Sequence, residues 1–144
     1  MKHLCDSNIF IALTLEAHPH HERAVQWLES SPPGVMLYFC RSTQISYLRL
    51  LTVKEWMKEH VCTNDEAVRA YNTLRSDRRF GFLADEPVNL EKQWFQYARG
   101  EQPSPKRWMD AYLAAFARAA KMSFVTFDRG FTSFPGLDLT VLNS

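Results

Sequence analysis

Three acidic residues from three distant segments of this chain have settings in which a carboxylate does chemistry. Asp6 follows the short apolar run His3-Leu4-Cys5, and a helical pattern begins two residues later. Asp128 follows a second apolar run, Phe124-Val125-Thr126-Phe127. In open α/β folds ligands bind in the crevice beyond the carboxyl ends of the strands. Asp110 lies on the second turn of a strong helical pattern, among Trp108, Met109, Tyr112, Leu113 and Phe116. An acid in apolar surroundings needs a partner, because an unpaired buried carboxylate is costly. A shared Mg²⁺ or Mn²⁺ would partner all three, since hard oxygen ligands suit those ions. Bland roles compete one by one: Asp6 or Asp128 as a cap, Asp110 as the partner of Arg107 or Arg118.

The elements that would carry these acids follow from the hydrophobic pattern. Lys2–Cys5 reads as a strand, residues 8–15 as a helix ended before Pro19, and 20–30 as a second helix stopped by Ser31-Pro32-Pro33-Gly34. Val35-Met36-Leu37-Tyr38-Phe39 is a continuous apolar run, the signature of a strand buried on both faces in a parallel sheet. Ser42 or Thr43 would cap the next helix, which carries Ile45, Leu48 and Leu51. Thr63-Asn64-Asp65-Glu66 is a capping box, and Val68, Tyr71 and Leu74 align on the helix behind it. Residues 80–84 read as a strand, Pro87 as the first turn of a helix ended by Gly100, and 106–120 as a helix opened by Ser104-Pro105. Strands at 124–127 and 139–142 complete the alternation. The fold class expected is α/β, a three-layer sandwich whose central, mainly parallel sheet of about five strands is flanked by helices. One domain over residues 1–144 is the expectation for this length.

Composition limits the alternatives. A net charge of +1 gives no global field for nucleic acid, so any basic surface is local. Arg75, Arg78, Arg79, Lys106, Arg107 and Arg129 are candidates, Arg107 and Arg129 first because each lies close to a candidate acid. No apolar run is long enough to span a membrane. Cys5, Cys40 and Cys62 are odd in number and widely spaced, as core thiols in a reducing compartment would be. His18, His20 and His21 read as a solvated turn, and the tryptophans Trp27, Trp56, Trp94 and Trp108 as mostly core or interface.

The segments Leu4-Cys5-Asp6-Ser7-Asn8, Thr43 to Thr52, Asp110-Ala111-Tyr112-Leu113-Ala114 and Thr126-Phe127-Asp128-Arg129-Gly130-Phe131 occur in an order and spacing that resemble the PIN-domain ribonucleases, and within them the VapC-type toxins of bacterial toxin–antitoxin pairs. The resemblance implies a metal-dependent endoribonuclease with Asp6, Asp110 and Asp128 as metal ligands and Asn8 and Thr126 as supporting polar groups. It also implies a Mg²⁺ cofactor that Mn²⁺ can replace, a cognate VapB-type antitoxin, an RNA substrate, a homodimer and a bacterial cytoplasmic location. The family's second acid falls at Gln44, which brings no negative charge; weaker metal affinity, or a single tightly held ion, is the expectation. Asp85 or Glu86 could replace that acid, although capping the Pro87 helix is the simpler role. Gln44 also motivates a rival reading, a catalytically weak or inactive RNA- or protein-binding module. A phosphoryl-transfer or receiver domain is a further rival, weakened by Asn8 where a second acid would stand.

Overall fold

A computed structural model describes residues 1–143. Five strands form one sheet: β1 (Lys2–Cys5), β2 (Met36–Cys40), β3 (Phe80–Leu83), β4 (Ser123–Thr126) and β5 (Leu139–Val141). Their order is β3-β2-β1-β4-β5 and every pairing is parallel. Seven α-helices are present among the described residues: α1 (Ser7–Thr14), α2 (His21–Glu29), α3 (Arg41–Leu51), α4 (Lys54–Met57), α5 (Asn64–Ser76), α6 (Leu90–Ala98) and α7 (Pro105–Ala119).

Strand alternation divides the core. Leu4, Cys40 and Phe124 face one side, where they pack with Leu90, Tyr97, Leu113 and Phe116 of α6 and α7. Cys5, Leu37, Phe39 and Val125 face the other, against Ile9, Phe10, Tyr47 and Leu51 of α1 and α3. Burial on both faces explains the unbroken apolar runs. Phe10 stacks on Phe39 with ring centroids 3.7 Å apart and anchors the second layer. Helix α1 has no side-chain cap; its buried Ile9, Phe10, Ile11 and Ala12 hold it helical through packing.

The chain order reverses between β1 and β4. The first three strands build outward in one direction, and β4 and β5 then add on the opposite side of β1. Leu4 pairs with Phe124 and Cys5 with Val125, so the two strands that precede Asp6 and Asp128 are neighbours.

Local expectations shift in five places. Strand β2 ends at Cys40 and not Phe39, because a continuous apolar run leaves its register unmarked. The cap of α3 is Cys40, with Thr43 three residues on returning its hydroxyl to the Cys40 N–H at 2.9 Å. Ser42 and Thr43 are therefore inside the helix. Pro87 does not open a helix: Asn89, at φ 68°, makes a left-handed turn first and α6 starts at Leu90. On α5 the inward face is Ala67, Ala70, Tyr71 and Leu74, and Val68 is exposed. Trp56 and Trp108 are 72% and 54% exposed and lie outside the core.

Candidate active site

The reversal of strand order opens a crevice at the carboxyl ends of β1 and β4, the place where such sheets bind ligands. Asp6 follows β1, and its N–H donates to the Val125 carbonyl at 2.9 Å, extending the strand pair by one residue. Asp128 lies two residues beyond β4 and accepts the Gly130 N–H at 2.8 Å, capping a 3₁₀ turn over Arg129–Ser133. Helix α7 runs back into β4, so its early turns lie at the carboxyl edge of the sheet and bring Asp110 there.

Thr126 ties these segments together. Its side chain is wholly buried, and its hydroxyl donates to Asp6 Oδ2 at 2.7 Å while accepting the Asp128 N–H at 2.9 Å. Asn8 completes the net. Its amide nitrogen lies 3.3 Å from Thr126 Oγ1 and 3.4 Å from Asp6 Oδ2, and its oxygen accepts the Phe127 N–H at 3.3 Å. A strand-end hydroxyl and a first-turn amide thus fix the Asp6 carboxylate and the backbone that carries Asp128.

The electrostatics of the three acids differ. Burial pushes the Asp6 carboxyl up to about 6, and repulsion from Asp110 and Asp128 adds to the effect against the Thr126 hydrogen bond. Asp128 is held below the usual carboxylate range by the Gly130 N–H and by Lys106. Lys106 Nζ lies 2.6 Å from Asp110 Oδ2 and 3.0 Å from Asp128 Oδ2. These contacts, Asp110 first, raise the ammonium above its ordinary value. Asp110 is therefore paired by Lys106, one turn before it on α7, and neither Arg107 nor Arg118 is its partner. Among the described residues no three His, Cys, Asp or Glu side chains stand close enough together to share one ion. A cation already lies between two of the acids, and the third is short of one. The donor set, carboxylate oxygens with a hydroxyl and an amide behind them, has the chemistry of a hard divalent-ion site.

The other candidate residues are placed elsewhere. Gln44 Oε1 accepts a hydrogen bond of 2.5 Å from Arg41, and no hydrogen bond links it to the three acids. Arg107 donates to the Tyr97 carbonyl at 2.9 Å and lies 4.6 Å over the Phe134 ring, a structural post on α7. Arg129 donates to Asn143, and Arg79 is bound to Asp77 and Glu29. Glu86 accepts the Tyr112 hydroxyl at 2.6 Å and does not cap α6. Cys5 and Cys40 are buried thiols, as core fillers would be.

Two contacts escaped the sequence reading. Lys106 was visible as the residue four before Asp110, the spacing of neighbours on a helix face, but its reach to Asp128 depends on the fold. His20 stacks on Phe127 with centroids 4.7 Å apart, so the histidine segment packs against the strand end beside Asp128 and is not a wholly solvated turn. Nothing in the local pattern signals that contact.

A model of the PIN domain matches residues 4–137. The chain belongs to the PIN domain family. Among PIN proteins, it is 44% identical over 143 residues to Ribonuclease VapC41 of Mycobacterium tuberculosis, covering 96% of this chain and 97% of that protein. It is 30% identical over 140 residues to Ribonuclease VapC44 of the same organism, covering 94% of each. The PIN fold is shared with VapBC2 from Rickettsia felis, solved bound to a promoter DNA fragment, at a TM-score of 0.71 and 14% identity over 99% of this chain and all of that one. It is also shared with M. tuberculosis VapC20, described as a sarcin-ricin-loop-cleaving toxin, at a TM-score of 0.64 and 18% identity over 94% and 97% of the two chains.

Proposed function

We propose that this chain is the toxin of a toxin–antitoxin pair, a divalent-ion-dependent endoribonuclease folded as one domain. The observation that carries the reading is the cation between Asp110 and Asp128, set opposite an Asp6 that Thr126 and Asn8 hold in place at the switch point of the sheet. The VapC ribonucleases that match nearly end to end support the same reading.

In it Asp6, Asp110 and Asp128 would hold Mg²⁺, or Mn²⁺ in its place, once the two carboxylates that Lys106 bridges are released to draw in around the ion. When bound, that ion supplies an activated water and offsets charge on the attacked phosphate. The chain's own residues do the positioning. Thr126 and Asn8 fix the Asp6 carboxylate, the Gly130 N–H and the 3₁₀ turn fix Asp128, and Lys106 would give up Asp110 and Asp128 to a bound ion. Its ammonium is then free to meet a substrate phosphate. Gln44, held by Arg41, adds no charge. A VapB-type antitoxin is the partner that holds the enzyme inactive, through an arginine placed among the carboxylates. The active unit in this reading is a homodimer in the bacterial cytoplasm. Among the described residues no helix is long and apolar enough to cross a membrane.

The test is cleavage of total cellular RNA by antitoxin-free protein in Mg²⁺ or Mn²⁺, beside Asp6→Asn and an EDTA control. Discrete fragments that disappear in both controls are the expected result; intact RNA in every lane would overturn the reading. The Arg41–Gln44 bond favours one alternative, a PIN module that binds RNA or protein with little catalysis. Titration with Mn²⁺ separates the two, since the alternative expects no binding at millimolar ion.

A further inference from the structure

The α3 side of the crevice carries two guanidinium groups that no acid neutralises. Arg41 is the first residue of α3. Its guanidinium carbon lies 4.6 Å above the centre of the Phe82 ring. Arg75 comes from the last turn of α5 and approaches the same ring at 5.9 Å. It also donates to the Tyr71 hydroxyl at 2.8 Å. Both arginines are exposed, and among the described residues neither forms an ion pair, whereas Arg79 and Lys106 each bridge two carboxylates. Asp85 and Glu86 line a cavity of about 420 Å³ beside Arg41 but stand outside ion-pair distance of it, and Glu86 is engaged by Tyr112.

Charge, restraint and position together favour an anion here. The N-terminus of α3 has no acidic residue in its first turn, so its free N–H groups and the Arg41 guanidinium present positive charge together. A cation placed against the helix dipole, with no carboxylate to hold it, is a site for an incoming anion. The ring of Phe82 and the Tyr71 hydroxyl restrain the two side chains in advance, which lowers the entropy lost when each grips a phosphate. The location is also suitable. Arg41 directly follows β2, and Phe82 pairs with Phe39 in the last half of β3. With strands about 4.8 Å apart, these groups step outward from the end of β1 by roughly 5 and roughly 10 Å. Arg41 therefore continues the edge on which Asp6 stands, and the Arg75 guanidinium reaches toward it over the Phe82 ring from the last turn of α5, which leads into the opposite end of β3.

We propose that Arg41 and Arg75, restrained by Phe82 and Tyr71, form a phosphate-gripping track for the single-stranded RNA beside the scissile bond, on the β2–β3 side of the crevice. The proposal rests on the ribonuclease reading above. It gives Gln44 a second role: its amide oxygen orients the Arg41 guanidinium.

The experiment measures binding of a short fluorescein-labelled single-stranded RNA of mixed sequence by anisotropy over a range of KCl, in an Asp6→Asn background that cannot cleave it. Each phosphate contact to a single strand contributes about 0.7 to the slope of log affinity against log salt. Arg41→Gln with Arg75→Gln is expected to lower the slope by about 1.4, and Arg99→Gln, on an exposed arginine just past α6, to leave it unchanged. Arg41→Lys is expected to keep the slope but weaken binding at fixed salt, because ammonium does not stack as guanidinium does. Circular dichroism confirms folding of each variant. If the wild type cleaves RNA and the parent binds it, yet the double variant keeps the parent's slope, the track is refuted and the ribonuclease reading stands. If the parent binds no RNA and the wild type cleaves none, both fall.

Discussion

Replacing Asp6 by Asn is expected to make the ion-free protein more stable at pH 7.5. Burial, with repulsion from Asp110 and Asp128, pushes this carboxyl from 3.8 to about 6. Each pKa unit is about 1.4 kcal/mol of differential interaction, so ionised Asp6 costs the folded state up to about 3 kcal/mol. One edge of the residue meets solvent, and screening there reduces the figure to about 1–3 kcal/mol. The pH window has a definite direction. An unfolded chain releases this proton near 3.8 and the folded one near 6, so between those values the folded state holds more protons. Wild-type stability from this group is therefore full below about pH 4, falls as pH rises through about 6, and stays low above. Asparagine has no such titration, and its amide oxygen can still accept from Thr126. The gap between variant and wild type opens over that window. At roughly 2–4 °C per kcal/mol for a chain of this size, the gain at pH 7.5 is roughly 2–12 °C in Tm. Thermal melts in EDTA at pH 4 and pH 7.5 read it directly. Mn²⁺ should reverse the order by stabilising only the wild type. A variant that melts below wild type at pH 7.5, or by the same offset at both pH values, would refute the reasoning.

Four further outcomes follow from other positions. Thr126→Val removes the hydroxyl shared by Asp6 and the Asp128 N–H; a loss of about 1–3 kcal/mol in urea melts and a fall in cleavage of at least about tenfold are expected. Lys106→Gln withdraws the ammonium that competes for Asp110 and Asp128, so calorimetry should show tighter Mn²⁺ binding, and an unchanged Kd would mean the lysine does not stand in for the ion. Gly136→Ala places a Cβ 2.8 Å from the Arg118 guanidinium at φ +79°; moving that group off the Tyr97 hydroxyl and the Pro135 carbonyl should add to the roughly 1–2 kcal/mol that backbone strain alone costs. Gly34→Ala, at φ +85° in open space, should show the backbone cost only.

The parts of the fold that were legible in the sequence are those that depend on burial. Leu4-Cys5 and Phe124-Val125 read as strands because both faces of the sheet are covered, and an acid directly after such a run marks a strand end. The alternation of strands and helices gave the layers, and the structure makes every strand pairing parallel. What stayed hidden depends on groups with weak local signatures. Cysteine is a poor acceptor, so nothing marked Cys40 as the cap of α3. Asn89 turns left-handed and displaces the helix that Pro87 would have opened. The partners of Arg107 come from α6 and from the 3₁₀ turn, so its nearness in sequence to Asp110 said nothing about where its guanidinium goes.

If the proposed site is the active one, the pairing of β1 with β4 also sets when the molecule can become active. Thr126 and Asp6 are 120 residues apart in the chain, yet they share one hydrogen bond. On a ribosome adding about 5–20 residues per second, the first strand emerges early and waits with one edge unpaired until the strand that completes the crevice is made. A nascent or stalled chain lacking β4 therefore has Asp6 but neither Asp128 nor the hydroxyl that orients it. On the reading proposed above, competence arrives in one step, once β4 has been made, and a translation arrest upstream of β4 leaves a chain whose acid site is incomplete.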